Sequence, residues 1–273
     1  MTRVAVTGAS GFIGRHLLRE LQARGVPAIA AGRNADGGIQ ADLRSPPPDL
    51  HEQLGRPDVL VHLAWGGLPN YQSMHHVEDE VPAHYAFIRS LVAAGLRRVV
   101  VAGTCYEYGM QYGPLHEALE ARPVTAYGAG KDILRRMLEQ LARTSGLELT
   151  WARLFYPWGE GQAPNALYPQ LKAAVERGDR EFAMSGGEQM RDYLPVADVA
   201  RCIAGLAQPG RACGIVNVCS GRPVSVRSLV EGWIRDNGWS IQPVFGRMPY
   251  PAHEPMAFWG DDTKLRRVLD QGA

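Results

Sequence analysis

Arg3-Val4-Ala5-Val6-Thr7-Gly8-Ala9-Ser10-Gly11-Phe12-Ile13-Gly14 is the stretch whose reading decides the fold of this chain. Residues 3–8 read as a short buried strand. The segment Arg15 to Arg24, directly after the glycines, carries Leu17, Leu18 and Leu21 on what would be one helix face. Strand, glycine turn and helix, in that order, form the context in which such glycines hold a diphosphate. They permit a tight turn and close approach of the ligand, whose charge then lies at the helix N-terminus. The spacing is Gly-x-x-Gly-x-x-Gly, not Gly-x-Gly-x-x-Gly, and a purely structural turn is the alternative.

Working outward, strand-like runs recur at Ala28–Ala31, Val59–Leu63, Arg98–Ala102, Leu149–Arg153 and Ile215–Val218. Helical stretches fall between and beside them at Phe12–Arg24, Val77–Ala94, Ala126–Thr144 and Val196–Ala207, with a last long helix at Val226–Asn237. The alternation predicts an α/β fold: a doubly wound, Rossmann-type parallel sheet covered by helices on both faces. Ligands of such sheets bind beyond the carboxyl ends of the strands. The glycine turn, Ala64 and Thr104 all fall at strand ends and are expected to converge on one cleft.

After Arg153 the pattern loosens, with Pro157, Gly159, Gly161, Pro164 and Pro169, and again after Asn237, where Pro243, Pro249, Pro251 and Pro255 follow. The predicted organisation is a dinucleotide-binding domain over 1–153, to which 191–218 returns. Segments 154–190 and 219–273 form a smaller C-terminal substrate-binding lobe.

The 273 residues carry a formal net charge of +1, which gives no reason to expect a nucleic-acid partner. Cys105, Cys202, Cys213 and Cys219 show no Cys-x-x-Cys spacing, so neither a zinc site nor a disulfide framework is expected. His75, His76 and His84 lack metal-ligand company, and no metal is predicted. No apolar run approaches the length of a membrane span, and Thr2 and Arg3 lead straight into the first strand; the expectation is a cytoplasmic protein away from membranes.

Tyr127 and Lys131 stand four apart on a predicted helix and therefore share a face. An ammonium near a phenol favours phenolate, which predicts a tyrosine pKa lowered toward neutrality and a general acid/base for a hydroxyl or carbonyl oxygen.

Together with the glycine turn and Thr104, this pair resembles the extended short-chain dehydrogenase/reductase family, whose members include nucleotide-sugar epimerases, dehydratases and ketoreductases. The resemblance runs over nearly the whole chain. It includes His62-Leu63-Ala64, Gly103-Thr104 ahead of Tyr108-Gly109, and Arg191-Asp192-Tyr193-Leu194 followed by Val196-Ala197-Asp198-Val199. It also includes Asn217-Val218 and Ser220-Gly221. It implies that Gly8, Ser10, Gly11, Phe12, Ile13 and Gly14 hold the cofactor diphosphate. Asp42 and Leu43 then flank the adenine, and Leu63 and Ala64 line the nicotinamide ribose. It implies further that Tyr127 exchanges a proton, that Lys131 also holds the nicotinamide ribose, and that Thr104 orients the substrate oxygen. Relatives pair the helices at 77–94 and 126–144 in a four-helix bundle, which implies a homodimer.

Cofactor choice is read at the second strand, which ends in Gly32-Arg33-Asn34 with no acid at its tip. Arg33 predicts NADP, since arginine accommodates a 2′-phosphate; Asp36, three residues on, keeps NAD as the alternative. The residues after Thr104 discriminate among activities. Dehydratases of the family carry Asp-Glu there, whereas this chain has Cys105-Tyr106. Glu107 comes one position late, and strand-like alternation would turn it to the other side. Relatives that epimerise at carbons 3 and 5 place a cysteine where Tyr106 stands, so Cys105 is one out of register and reads as a small buried hydrophobe. On the substrate side, Arg153-Leu154-Phe155-Tyr156-Pro157-Trp158-Gly159 resembles a family segment with Asn in place of Tyr156. Arg191 matches a diphosphate-binding arginine. Trp65, Cys105, Tyr106, Tyr156, Asn165, Leu167 and Arg191 form the predicted substrate side, with Phe182 a candidate for stacking on the base.

The reading that uses all these residues is an NADPH-dependent reductase of a nucleotide-linked 4-keto-6-deoxyhexose, supplying a deoxysugar nucleotide for surface polysaccharide. A nucleotide-sugar 4-epimerase with tightly held NAD is the alternative. A dinucleotide-sensing regulator is a third reading, disfavoured because the catalytic set is complete.

Overall fold

The computed structural model describes residues 2–33, 37–208, 210, 212–251 and 253–270. Asn34 and Asp36, named above beside Arg33, lie outside the described residues. The main sheet has seven strands: β1 (Val4–Thr7), β2 (Ala28–Gly32), β3 (Ile39–Gln40), β4 (Val59–His62), β5 (Arg98–Thr104), β6 (Glu148–Leu154) and β7 (Gly214–Val218). All pair in parallel, in the order β7-β6-β5-β4-β1-β2-β3. β1 and β4 are buried at every residue, the unbroken apolar run of a strand covered on both faces. The strand order reverses between β1 and β4, so the crevice opens at their carboxyl ends, beside Gly8 and Leu63.

One face of the sheet is covered by α1 (Phe12–Ala23), through Leu17 and Leu21, and by a helix at Val196–Leu206, through Val199 and Ile203. The other face is covered by α2 (Val81–Ala93), through Phe87, Ile88 and Leu91, and by α3 (Ala126–Ser145), through Leu134 and Leu138. α3 starts where Thr125 Oγ1 accepts from Gly128 N at 3.0 Å and stops at left-handed Gly146. Gly130 is required for its close approach: a Cβ there would stand 2.5 Å from the His76 carbonyl. That approach carries Tyr127 and Lys131 to the ends of β4 and β5.

A separate apolar core, built from Leu171, Phe182, Val230 and Trp233, lies toward the C-terminus and is fed by the helices Leu167–Glu176 and Val226–Asp236. The last helix, Thr263–Asp270, packs back on β7, where Lys264 Nζ donates to the carbonyls of Cys213 and Ile215. No helix among the described residues is long and apolar enough to cross a membrane.

Candidate active site

The glycine turn builds a cradle that a dinucleotide fits. Gly8 has φ +70°, and a Cβ on it would meet Ala64 N at 2.6 Å, so β1 and β4 close tightly at their ends. Gly11 caps α1 with no side chain bonded across the first turn. Above it opens a cavity of about 570 Å³, lined by Gly8, Ser10 and Gly11, by Arg33, by Asp42 and Leu43, and by Leu63, Ala64 and Trp65. The residues expected at both ends of the cofactor therefore share one wall. Phe12 and Ile13 form the first turn of α1, with Ile13 packed on the sheet core. Arg33 is exposed at the rim.

Thr104, Tyr127 and Lys131 come together at the carboxyl end of β5, all buried. The Thr104 hydroxyl is hydrogen-bonded to the Tyr127 phenol. It also accepts from Tyr106 N at 3.3 Å, so it bonds backbone and tyrosine at once. Lys131 Nζ donates to Ala102 O at 2.9 Å and lies 3.9 Å from the centroid of the Trp65 ring. The expected lowering of the Tyr127 pKa does not appear. Burial pushes the phenol up, and the Thr104 hydrogen bond opposes this only in part. Burial likewise lowers Lys131 to about 7, with Glu107 and Glu80 holding its charge.

Glu107 is turned away from the site, though not by strand alternation. The chain leaves β5 in a 3₁₀ turn, Cys105–Tyr108, capped by Thr104. The turn sends Glu107 inward, where it accepts from Thr104 N (2.8 Å), Trp151 Nε1 (2.9 Å) and Arg153 Nε (2.7 Å). Fully committed to these donors, it offers nothing to a substrate. Cys105 is buried against Phe155, Cys219 and Phe258, and burial raises its thiol pKa.

On the substrate side, Tyr106 stacks on Tyr71 at 4.9 Å and donates to Glu254 at 2.5 Å. Arg191 is buried rather than at the surface, with Nη2 2.9 Å from Glu254 Oε2 and the guanidinium 4.5 Å from the Phe258 centroid. Asp192 does not pair with it; its carboxylate accepts from Ser220, Gly221 and Gly260. The Tyr156 hydroxyl is buried in the same wall with no hydrogen-bond partner among the described residues. Asn165 is exposed, Leu167 packs on the C-terminal core, and Phe182 is inside that core rather than presented for stacking. Trp65, expected on the sugar side, lines the cofactor cavity and faces Tyr127 edge-on at 6.2 Å. His253 and Glu254, missed in the sequence, close this wall: His253 stacks on Tyr106 at 6.1 Å. Their loop is distant in sequence from every motif, and only tertiary structure brings it in.

The model of the NAD dependent epimerase/dehydratase family matches residues 4–219. A dTDP-6-deoxy-L-talose 4-dehydrogenase (NAD(+)) from Aggregatibacter actinomycetemcomitans is 29% identical over 271 residues, spanning 94% of this chain and 98% of that protein. A dTDP-6-deoxy-L-talose 4-dehydrogenase (NAD(P)(+)) from Kitasatospora kifunensis is 30% identical over 259 residues, spanning 86% and 79%. Among solved structures, MoeE5 in complex with UDP-glucuronic acid and NAD superposes with a TM-score of 0.83 at 29% identity, covering 98% of this chain and 92% of that one. These relatives are nucleotide-sugar-modifying enzymes that use nicotinamide cofactors. With a parallel Rossmann sheet, its glycine turn and a buried Thr-Tyr-Lys set, this chain is an NAD(P)-dependent enzyme of the NAD dependent epimerase/dehydratase family, of the extended short-chain dehydrogenase/reductase type.

Proposed function

We propose that this enzyme is an NADPH-dependent reductase of a nucleotide-linked 4-keto-6-deoxyhexose, giving a deoxysugar nucleotide for surface polysaccharide. The observation that carries the reading is a complete Thr104–Tyr127–Lys131 set beside which Glu107 and Cys105, the acid/base candidates next to Thr104 in sequence, are not free to act. Glu107 is consumed by buried donors and Cys105 is an apolar-packed thiol. A bound reduced nicotinamide supplies the hydride. Tyr127 delivers the proton to the carbonyl oxygen, and burial keeps its phenol protonated, the state that reduction requires. Thr104 orients that oxygen. Lys131 stabilises the phenolate left behind.

The loose segment 154–190 and the part of 219–273 before the last helix serve as the substrate lobe. Arg191, with its planar fork, and the unpartnered Tyr156 hydroxyl suit a diphosphate. The 4-epimerase with tightly held NAD is the second reading, favoured by the NAD bound in the MoeE5 complex. Net consumption of NADPH during turnover separates the two.

Arg33 at the cavity rim supports NADPH as the cofactor. Arg33→Ala weakens NADPH about tenfold or more and NADH less than about threefold, because only NADPH presents the 2′-phosphate to the guanidinium. Fluorescence titration of both cofactors against both proteins measures this. Equal losses, or a wild type that prefers NADH, removes the assignment. The enzyme pairs as a homodimer through α2 and α3, where Ile133 is an exposed apolar residue. Light scattering at micromolar concentration reads a dimer mass; a monomer contradicts it.

A further inference from the structure

A second buried cluster stands behind the catalytic set, and it converges on Glu80. A π-helical turn, His76–Glu80, runs into α2 and aims this carboxylate at the cofactor cavity. Glu80 is 6% exposed yet takes four donors. Gly66 N lies at 2.6 Å and His84 Nε2 at 3.0 Å from Oε2; Arg44 Nη2 lies at 2.8 Å and His75 Nε2 at 3.1 Å from Oε1, which leaves one of these oxygens shared by each pair.

Behind His84 the chain of bonds continues. His84 Nδ1 meets His62 Nε2 at 2.6 Å, and His62 Nδ1 meets Thr7 Oγ1 at 2.8 Å, next to the glycine turn. The protons can be placed. Burial raises Glu80, but the bonds from His84 and Gly66 outweigh it and hold the group at about 2, so Glu80 only accepts and His84 Nε2 donates. Burial keeps both imidazoles neutral. His84 Nδ1 therefore accepts from His62 Nε2, and His62 Nδ1 accepts from Thr7. The bonds all run one way, from β1 to Glu80.

The face of His84 carries the Trp65 indole at 4.8 Å and 19°, and Lys131 Nζ lies 3.9 Å from the Trp65 ring centroid. Trp65 Nε1 donates to His76 Nδ1 at 3.1 Å, which fixes the ring in its plane. Glu80 thus grips this stack twice, through Gly66 of the Trp65 loop and through His84 beneath the indole.

We propose that Glu80 is a positioning residue for Lys131: by holding Gly66 and His84 it fixes the indole on which the catalytic ammonium rests, and its charge faces that ammonium. The proposal rests on the reading of Lys131 as part of the catalytic set. The groups facing Lys131 are Glu107 from the turn after β5, Glu80 and His76 from the turn before α2, His84 on α2 and His62 at the end of β4. Only the two glutamates favour the charged form. Removing one leaves burial less opposed, and Lys131 then loses its proton at lower pH.

The chain has three lysines, 131, 172 and 264, so lysine labelled with ¹³C gives three resolved Cε signals, and the buried one can be titrated directly on the intact protein without substrate. Glu80→Gln keeps the shape and removes the charge. The expected result is a Lys131 signal that titrates at lower pH than in wild type, with Glu80→Asp restoring most of the difference. In turnover, kcat falls three- to tenfold more at pH 8 than at pH 6, about the ratio expected for up to one pKa unit, while KM for cofactor changes little. A Lys131 titration unchanged by Glu80→Gln, or a loss of kcat equal at both pH values, overturns the proposal. Should Glu80→Gln fail to fold, Trp65→Phe carries the test. It weakens the cation–π contact and drops the His76 bond, and must also lower the pH at which Lys131 titrates; no change overturns the proposal. Lysine titration that follows the expectation in a protein inactive on keto-sugars would retain Glu80 and discard the substrate reading.

Discussion

Tyr127→Phe is expected to leave less than about 1% of wild-type turnover while cofactor affinity stays within about threefold, since general acid catalysis is worth 100-fold or more. The expectation follows from the surroundings of the phenol. Tyr127 is 9% exposed, hydrogen-bonded to Thr104 and walled by the rings of Trp65, Tyr71, His76 and Tyr106. Phenylalanine fills the same space, so packing is kept. What disappears is the proton, and no neighbour replaces it: burial raises the Cys105 thiol and the Tyr106 phenol, and Tyr106 is bonded to Glu254. Steady-state kinetics with a cofactor titration checks both halves. Retention of more than about a tenth of the activity would assign the proton to another group.

Glu107→Ala is expected to cost about 3–5 kcal/mol of stability, the usual penalty for stranding a buried charge. Its carboxylate is wholly buried and serves Arg153, 1% exposed, together with Trp151 Nε1 and the Thr104 amide. Arg153 Nη1 already has no partner among the described residues, so the guanidinium has no second anion to turn to. The melting temperature should fall by roughly 10 °C for a chain of this size. Replacing both residues by apolar ones, Glu107→Leu with Arg153→Met, should recover much of the loss, because the stranded charge goes as well. Thermal melts of the single and double variants decide it. A single variant that melts within about 2 °C of wild type would show that Glu107 does not hold the Thr104 turn.

These two residues also show where sequence was sufficient and where it was not. Tyr127 and Lys131 were legible because helical spacing is local: four residues on a helix fix a shared face whatever surrounds it. The glycine turn was legible for the same reason, as were the strands from Ala28 to Val218, which are apolar because both faces are covered. Glu107 was placed on the correct side by the wrong geometry. Alternation assumes that the strand continues, but the Thr104 cap ends it and starts a 3₁₀ turn.

The electrostatics were least legible. A lysine one turn away suggested a lowered tyrosine pKa, but pKa depends on burial and on where the ammonium points, and Lys131 points at Ala102 O and Trp65. The Arg191–Glu254 pair and the Glu80–His84–His62 chain join residues far apart in sequence or from different elements. Glu80 and His84 stand four apart, but the Arg191–Glu254 pair and the step from His84 to His62 have no spacing that a single sequence can display.

The central claim is that this site reduces a keto-sugar rather than inverting a hydroxyl. The direct test supplies a nucleotide-linked 4-keto-6-deoxyhexose, made in situ by a 4,6-dehydratase, and follows NADPH absorbance and sugar product together. The account predicts one NADPH oxidised for each keto group reduced, with the signal lost in Tyr127→Phe. A sugar that changes configuration while NADPH stays constant would contradict it, because the hydride would then be returning to the sugar from which it came.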